Sequence, residues 1–520
     1  MKKSYKYQAG NKTIVREYNY IPVRYILAII LTIFEVAAVV SIVFALCYYV
    51  PYFYLAAWAT EICCVIKIIS SDDNPEYKVP WLLFVLILPV AGFMLYFIFY
   101  KRTLDKKLLK RLRAVSDEGY SQESEELLSE LSRIDASAAG QAKSLMRTSG
   151  ASLFKGGNIR YFSLGKDKWE ELLIDLRSAE RFIFMEYFIV EEGEMWNSIL
   201  EVLKEKAGSG VEVRVIYDDI GCMSTLPGDY CKQLGAFGIK ALPFARLKGN
   251  ADGEFNNRSH RKIAVIDGKV GYTGGVNLAD EYIGATVKYG HWKDVAVRIE
   301  GRGVWELTKL FLLDYSMNDK KPVRNTFNYY PEIPDEGEGY VVPFGDGPKP
   351  LYEYRVSKIA IMNMLESATR YVYITTPYLI IDNDVCTSLE SAALKGVDVR
   401  IIVPHIPDKK IVFEITRSFY QRLMKAGVKI YEYTPGFIHA KIYLSDDKVA
   451  MVGTVNLDYR SLVHHFECGA WMYGVDCINN IKEDIDFTIS ESMLVSEKMN
   501  QVGIARRLLR ALGRVFATLM

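Results

Sequence analysis

Histidine is scarce in this chain: six among 520 residues, at positions 260, 291, 405, 439, 464 and 465. A surplus of charge is missing as well, since 64 basic residues face 63 acidic ones. That balance argues against the cationic surface on which nucleic-acid binding depends, so no nucleic-acid partner is expected. The eight cysteines (Cys47, Cys63, Cys64, Cys222, Cys231, Cys386, Cys468, Cys477) contain no C-x-x-C pair and no ligand spacing with histidine. They read as free thiols in a reducing compartment, which argues against structural zinc. No small-residue cleavage site follows the first apolar run, so a removed signal peptide fits poorly.

What is present begins with that apolar N-terminus. Two runs reach the length of about 20 apolar residues that a membrane crossing needs. One covers 25–49, with Glu35 its only charge, and the other covers 81–100 and stops at Lys101-Arg102. Between them 50–69 is apolar but holds Pro51, Glu61 and Lys67. It reads as a third span, a re-entrant element or an interfacial helix. Lysines and arginines precede the first run (Lys2, Lys3, Lys6, Lys12, Arg16, Arg24) and follow the last. Both flanks favour the cytoplasm, which requires an even number of crossings. The expectation is a multi-pass cell-membrane region over 1–102, with the remaining chain cytoplasmic.

Residues 103–150 read as a polar helical connector. Beyond them strands and helices alternate: a buried strand in 181–190, a helix over 196–207 and a strand at 211–216, the β-α-β pattern of a parallel sheet. The succession recurs at 371–376, 384–393 and 397–402. "GVEVRV" at 210–215 answers "GVDVRI" at 396–401, and "FGIKAL" at 237–242 answers "AGVKIY" at 426–431. A duplication of this length makes two lobes rather than a solenoid. The expected fold class is α/β: duplicated lobes at 151–330 and 331–498, with mixed, largely parallel sheets flanked by helices, preceded by N-terminal transmembrane helices. The proline-bearing stretch 318–338 is the expected linker.

Two segments carry the chemistry. "HRKIAVIDGKVGYTGGVN" (260–277) and "HAKIYLSDDKVAMVGTVN" (439–456) share H-x-K-x-x-x-x-D and a G-[GT]-x-N ending at the same offset. On a strand, residues i and i+2 face the same way. Each copy therefore projects an imidazole and an ammonium side by side: His260 with Lys262, His439 with Lys441. Two copies together suit a phosphodiester without a metal or other cofactor. One imidazole attacks phosphorus to form a phosphoryl-histidine, and the other protonates the leaving alkoxide and then deprotonates the incoming alcohol. The lysines and the asparagines Asn277 and Asn456 hold the non-bridging oxygens. Asp267 and Asp446 complete the motifs, from outside the phosphate pocket. One histidine must attack neutral while the other carries a proton, so their surroundings must separate the two pKa values.

These residues resemble the phospholipase D superfamily with its paired HKD motifs, and within it the bacterial cardiolipin synthases. The resemblance rests on "NNRSHRKIAVIDGKVGYTGGVNLADEY", "HWKDVAVRIEG", "TPYLIIDND" and "TPGFIHAKIYLSDDKVAMVGTVNLDYRS", and runs from about residue 80 to the end. It implies condensation of two phosphatidylglycerols to cardiolipin and glycerol through a phosphatidyl-histidine. It also implies His260 as nucleophile, His439 as acid/base, and Lys262, Lys441, Asn277 and Asn456 on phosphate. Water or another headgroup alcohol is the alternative acceptor. Asp294 in "HWKD" and Glu467 in "HHFE" hold matching places, each to orient a histidine across the lobe interface or to serve as a plain carboxylate.

The C-terminal stretch 499–520 places Ile504, Leu508, Leu512, Val515, Phe516 and Leu519 on one helical side and Arg506, Arg507, Arg510 and Arg514 on the rest. This is the pattern of a helix lying on anionic lipid. Packing on the catalytic lobes is the competing reading.

Overall fold

The computed structural model describes residues 2–9, 12–19, 23–88, 91–99, 122–246, 256–319, 323 and 325–519. The chain divides into two compact units. One holds Met1–Thr103, Arg246–Asn257 and Gly503–Met520; the other holds Leu104–Ala245 and Arg258–Val502.

The first unit opens with an antiparallel hairpin, Lys2–Ala9 on Lys12–Asn19. Helices α1 (Val23–Tyr49), α2 (Pro51–Ile69), α3 (Pro75–Ile87) and α4 (Ala91–Phe99) follow. The expected continuous run over 81–100 is instead two helices, and this corrects the sequence reading. Helix α3 ends at Ile87, just before the Leu88-Pro89 step, because proline disfavours helical backbone in the residue before it. The pieces are about 20 and 13 Å long at 1.5 Å per residue, too short for a bilayer core of about 30 Å. Counted over the described residues, no helix is long and apolar enough to cross a membrane. The expected transmembrane helices are therefore not supported on that count.

Helices α2, α3 and α4 pack around Cys64, Ile68, Trp81, Val85 and Tyr96. Gly92 lets α3 and α4 approach, since a Cβ there would lie 2.1 Å from the Phe84 carbonyl oxygen. The C-terminal helix Ile504–Phe516 belongs to the same unit, with the Phe516 ring 5.9 Å from Phe84. Its Ile504, Leu508 and Leu512 side chains are exposed.

In the second unit, residues 103–121 of the expected connector lie outside the described residues, and Gln122–Ile134 and Ala136–Ser149 are helices. Two sheets follow. The first runs Asn158–Phe162, Ala296–Glu300, Val270–Gly274, Lys262–Ile266, Phe182–Tyr187, Glu212–Asp218, Lys240–Phe244 in spatial order. The second repeats that order with Tyr340–Asp346, Glu467–Tyr473, Val449–Gly453, Ile442–Ser445, Tyr371–Thr375, Asp398–Pro404 and Lys429–Tyr433, and adds Phe154–Lys155 and Ser492–Leu494 at its edges. Only the last three strands of each repeated set run parallel to one another. The sheets are thus mixed but mostly antiparallel, which corrects the expectation of largely parallel ones.

The reason lies in the motif itself. Each H-x-K strand turns straight back on its neighbour, and this hairpin enters the sheet antiparallel on both sides. Asp267-Gly268 and Asp446-Asp447 have positive φ at both turn positions, the signature of a tight type I′ hairpin. Side chains from both sheets, among them Phe184, Ile263, Ile442, Val452 and Met472, share one buried core with Phe311 of the helix Val304–Asn318.

Candidate active site

The two motifs meet because each lobe lends the other a short piece of strand. His291–Lys293 of the first lobe pairs parallel with Gly436–Ile438, and the His439 amide donates to the Lys293 carbonyl at 2.7 Å. On the other side Ser259 bridges Phe466, and the His260 amide donates to the Phe466 carbonyl at 2.9 Å. Each catalytic-type histidine is thereby aligned with the residue that follows its partner strand: Asp294 for His439 and Glu467 for His260. Both carboxylates therefore act across the lobe interface, on the opposite lobe's imidazole.

His260 Nδ1 lies 3.0 Å from both Glu467 oxygens, and His439 Nδ1 lies 2.6 Å from Asp294 Oδ2. With Nδ1 engaged, each ring keeps Nε2 for chemistry, the role division known from carboxylate–histidine pairs. Lys262 Nζ donates to the His260 carbonyl at 2.7 Å, and Lys441 Nζ makes the matching bond to the His439 carbonyl. All six side chains are buried.

Burial pulls Lys262 down to about 7, helped by the Lys441 charge, and pulls Lys441 down to about 8. The Lys441 charge thus disfavours the ammonium form of Lys262, a repulsion that an anion between them would relieve. Burial also lowers His260, to about 3, and lowers His439 well below the usual imidazole range. The carboxylates differ. Burial pushes Asp294 up to about 7, whereas Glu467, which burial also works to raise, is held low by the charge and hydrogen bonding of His260 and by His465.

The remaining motif residues fall in two groups. Asp267 and Asp446 do not enter the pocket. Asp267 accepts from the amides of Glu180, Arg181 and Phe182, and Asp446 from those of Thr369, Arg370 and Tyr371. Each clamps the loop that enters the neighbouring parallel strand, with bonds worth about 1.5–3 kcal/mol each when the acceptor is charged. Asn277 accepts from the Ile189 amide and donates to Tyr282 Oη, while Asn456 donates to Asp458. The buried Oδ1 of Asn456 has no hydrogen-bond partner among the described residues.

Several contributors escaped sequence reasoning. Arg261 follows His260 and binds Asp314, the Glu467 carbonyl and Tyr352 Oη, pinning the first motif to the second lobe. Thr454, in the G-[GT]-x-N tail, donates its hydroxyl to Glu467. Lys168 is a third buried amine, drawn down to about 7 by burial and bonded to Tyr187 Oη. Aromatic rings wall both histidines: Phe188 beside His260, and Tyr282, Trp292 and Phe437 around His439. His465 stands 5.5 Å from the His260 ring, and its place in "HHFE" was the only signal for it. Among the described residues, His260, His465 and Glu467 are the one trio whose ligand atoms gather as a metal would need.

A family model described as "Cardiolipin synthase, PLD-like domain" matches residues 172–301 and 361–487. The cardiolipin synthase of Halalkalibacterium halodurans is 33% identical over 440 residues, covering 82% of this chain and 85% of that protein. The chain belongs to the phospholipase D-like cardiolipin synthase family. The cardiolipin synthase of Geobacillus kaustophilus is similar at 33% identity over 88% of this chain and 91% of its own length. A Streptococcus mutans protein of no stated function is 40% identical over 88% of this chain and 99% of its own. A second model, "Phospholipase_D-nuclease N-terminal", matches 62–99, part of α2 with α3 and α4. In fold, the chain is similar to a phosphatidylserine synthase from Haemophilus influenzae, with TM-score 0.55 at 15% identity over 73% of this chain and 98% of that one.

Proposed function

We propose that this enzyme transfers a phosphatidyl group from one phosphatidylglycerol to another, giving cardiolipin and glycerol. One observation carries the reading: two cross-lobe histidine–carboxylate pairs flank two buried lysines whose pKa values are depressed by burial, that of Lys262 also by the Lys441 charge. Family membership and the curated cardiolipin synthases it resembles support the choice of lipid.

Glu467, held anionic, accepts a hydrogen bond from Nδ1–H of His260, which keeps the proton on Nδ1, so Nε2 keeps its lone pair and attacks phosphorus. The bond to the departing glycerol oxygen breaks, and His439 supplies the proton that oxygen needs. A second phosphatidylglycerol then gives its hydroxyl proton back to His439, and its oxygen displaces His260 from phosphorus. Lys262 and Lys441 neutralise the non-bridging oxygens throughout. His439 suits the proton role because its partner Asp294 itself titrates near neutrality. Burial depresses both imidazoles most, and the ammonium charges that add to it are offset once the phosphate anion is bound.

The lipid is met at a membrane. Phe34, Phe44, Trp58, Ile66 and Ile87 in α1–α3 are exposed, apolar area that water disfavours and lipid accepts. Through this apolar area the helices of the first unit associate with the bilayer, with the basic flanks of the N-terminal region on its cytoplasmic side. The exposed Ile504, Leu508 and Leu512, with arginines around them, lay the C-terminal helix on anionic lipid.

Purified protein in phosphatidylglycerol vesicles should form cardiolipin and glycerol in equal amounts. Phosphatidic acid as the sole lipid product would mean that water is the acceptor and would overturn the transfer reading.

A further inference from the structure

His465 is nine-tenths buried against the pocket, and among the described residues neither of its ring nitrogens has a hydrogen-bond partner. A buried polar group left in that state is costly unless something binds it. The first motif has no counterpart: the residue two places before Asp294 is Trp292. His465 Nδ1 lies 3.7 Å from Glu467 Oε1, and His260 Nδ1 lies 3.0 Å from the same carboxylate. The ligand atoms of all three residues lie within 4.8 Å of one another.

Two imidazoles and a carboxylate are a donor set that zinc takes, at about 2.0–2.2 Å from each. Tetrahedral ligands at such bond lengths stand about 3.4 Å apart, between the two separations found here. We propose that His260, His465 and Glu467 form a binding site for a zinc-like divalent cation whose occupation switches transfer off.

The inhibition follows from the tautomer and rests on the reading of His260 as nucleophile. In the free enzyme the His260 proton sits on Nδ1, toward Glu467, and Nε2 carries the lone pair. A cation coordinated by Nδ1 moves that proton to Nε2, with the ring still neutral, so no lone pair remains to attack phosphorus. The cation also takes up the Glu467 charge that supports the attacking imidazole. His465 completes the ligand set, so it is the residue through which metal sensitivity can be separated from turnover. In the other pair, His439 and Asp294 are surrounded by Tyr282, Trp292 and Phe437, and no third ligand is near among the described residues.

The test uses the full chain in detergent micelles. Added Co²⁺ should give the visible absorption of a tetrahedral site at one equivalent. Buffered Zn²⁺ should displace the Co²⁺ and stop cardiolipin formation reversibly, with activity restored by a chelator. H465N should lose the Co²⁺ band. Its inhibitory Zn²⁺ concentration, measured against its own metal-free rate, should rise by more than about a hundredfold, beyond the cost of losing an outer-shell partner. H439N should keep the band. A wild-type protein with no tetrahedral Co²⁺ band, or an H465N enzyme as zinc-sensitive as wild type, would overturn the site. A band without loss of turnover would overturn the switch. If phosphatidylglycerol is simply not a substrate, the band still decides the site, so the two readings fail separately.

Discussion

The two lobes share strand order, motif hairpin and a borrowed carboxylate, but they hold their histidine pairs with different numbers of groups. Behind His260 stands Arg261, which reaches into the second lobe through the Glu467 and Asp346 carbonyls and Tyr352 Oη; behind His439 stands Ala440. In the G-[GT]-x-N tails, Thr454 donates to Glu467, whereas the matching Gly275 leaves Asp294 the space a Cβ would occupy 2.0 Å away. Glu467 therefore faces His260, Thr454 and His465, while Asp294 has His439 and the Val295 amide. Duplication supplied two equivalent imidazoles, and their neighbours then separated them. On the proposed assignment, the braced pair keeps a fixed negative charge behind a neutral nucleophile, and the barer pair carries the proton that comes and goes.

The strongest way to break this comparison is to neutralise the braced carboxylate. E467Q removes the acceptor that fixes the His260 tautomer, so kcat in the vesicle assay should fall by about 10³–10⁴-fold. A loss below tenfold would mean that Glu467 is only packing. Removing the other carboxylate should matter less and differently. D294N should cost about 10–100-fold, within the range of one proton-transfer contribution, and should also change the pH profile. Asp294 and Lys262 both titrate near 7 and both are needed protonated, so kcat/KM falls as pH rises through about 7. Through pH 7 wild type should lose two protons and D294N one, before Lys441 adds its own step near 8 in both. An unchanged slope would take Asp294 out of the proton path. The finest contrast is T454V, which deletes one hydroxyl donor to Glu467 at nearly constant volume. A bond of this kind is worth about 1.5 kcal/mol, or roughly tenfold in kcat, and T454S should retain most of the rate.

Much of this was legible in the chain. The β-α-β pattern located the strands around 182–187, 212–218, 371–375 and 398–404 because their signal is local: alternating or continuous apolar residues bounded by glycine. The His–Lys spacing located the pocket for the same reason. The antiparallel entry of the motif strand was not read, although Asp267-Gly268 is a hairpin turn signal. Glycine-asparagine between two alternating runs likewise marked the hairpin over 2–19 and went unread. The unequal bracing was beyond reach. His260 and Glu467 are 207 residues apart, and no periodicity fixes register over that distance. Thr454 looked like a neutral small residue until its hydroxyl met Glu467. The break within 81–100 was in view as Pro89, but an apolar run of suitable length outweighed it.

The division of labour between the two histidines is tested most directly by trapping the covalent intermediate. H439N should slow both displacements, so an alkaline quench of that variant after prolonged incubation with phosphate-labelled phosphatidylglycerol, followed by digestion and mass spectrometry, should find the phosphatidyl group on His260. H260N should yield no adduct at His439. Label on His439 in H260N, with His260 unmodified in H439N, would reverse the assignment and contradict the account.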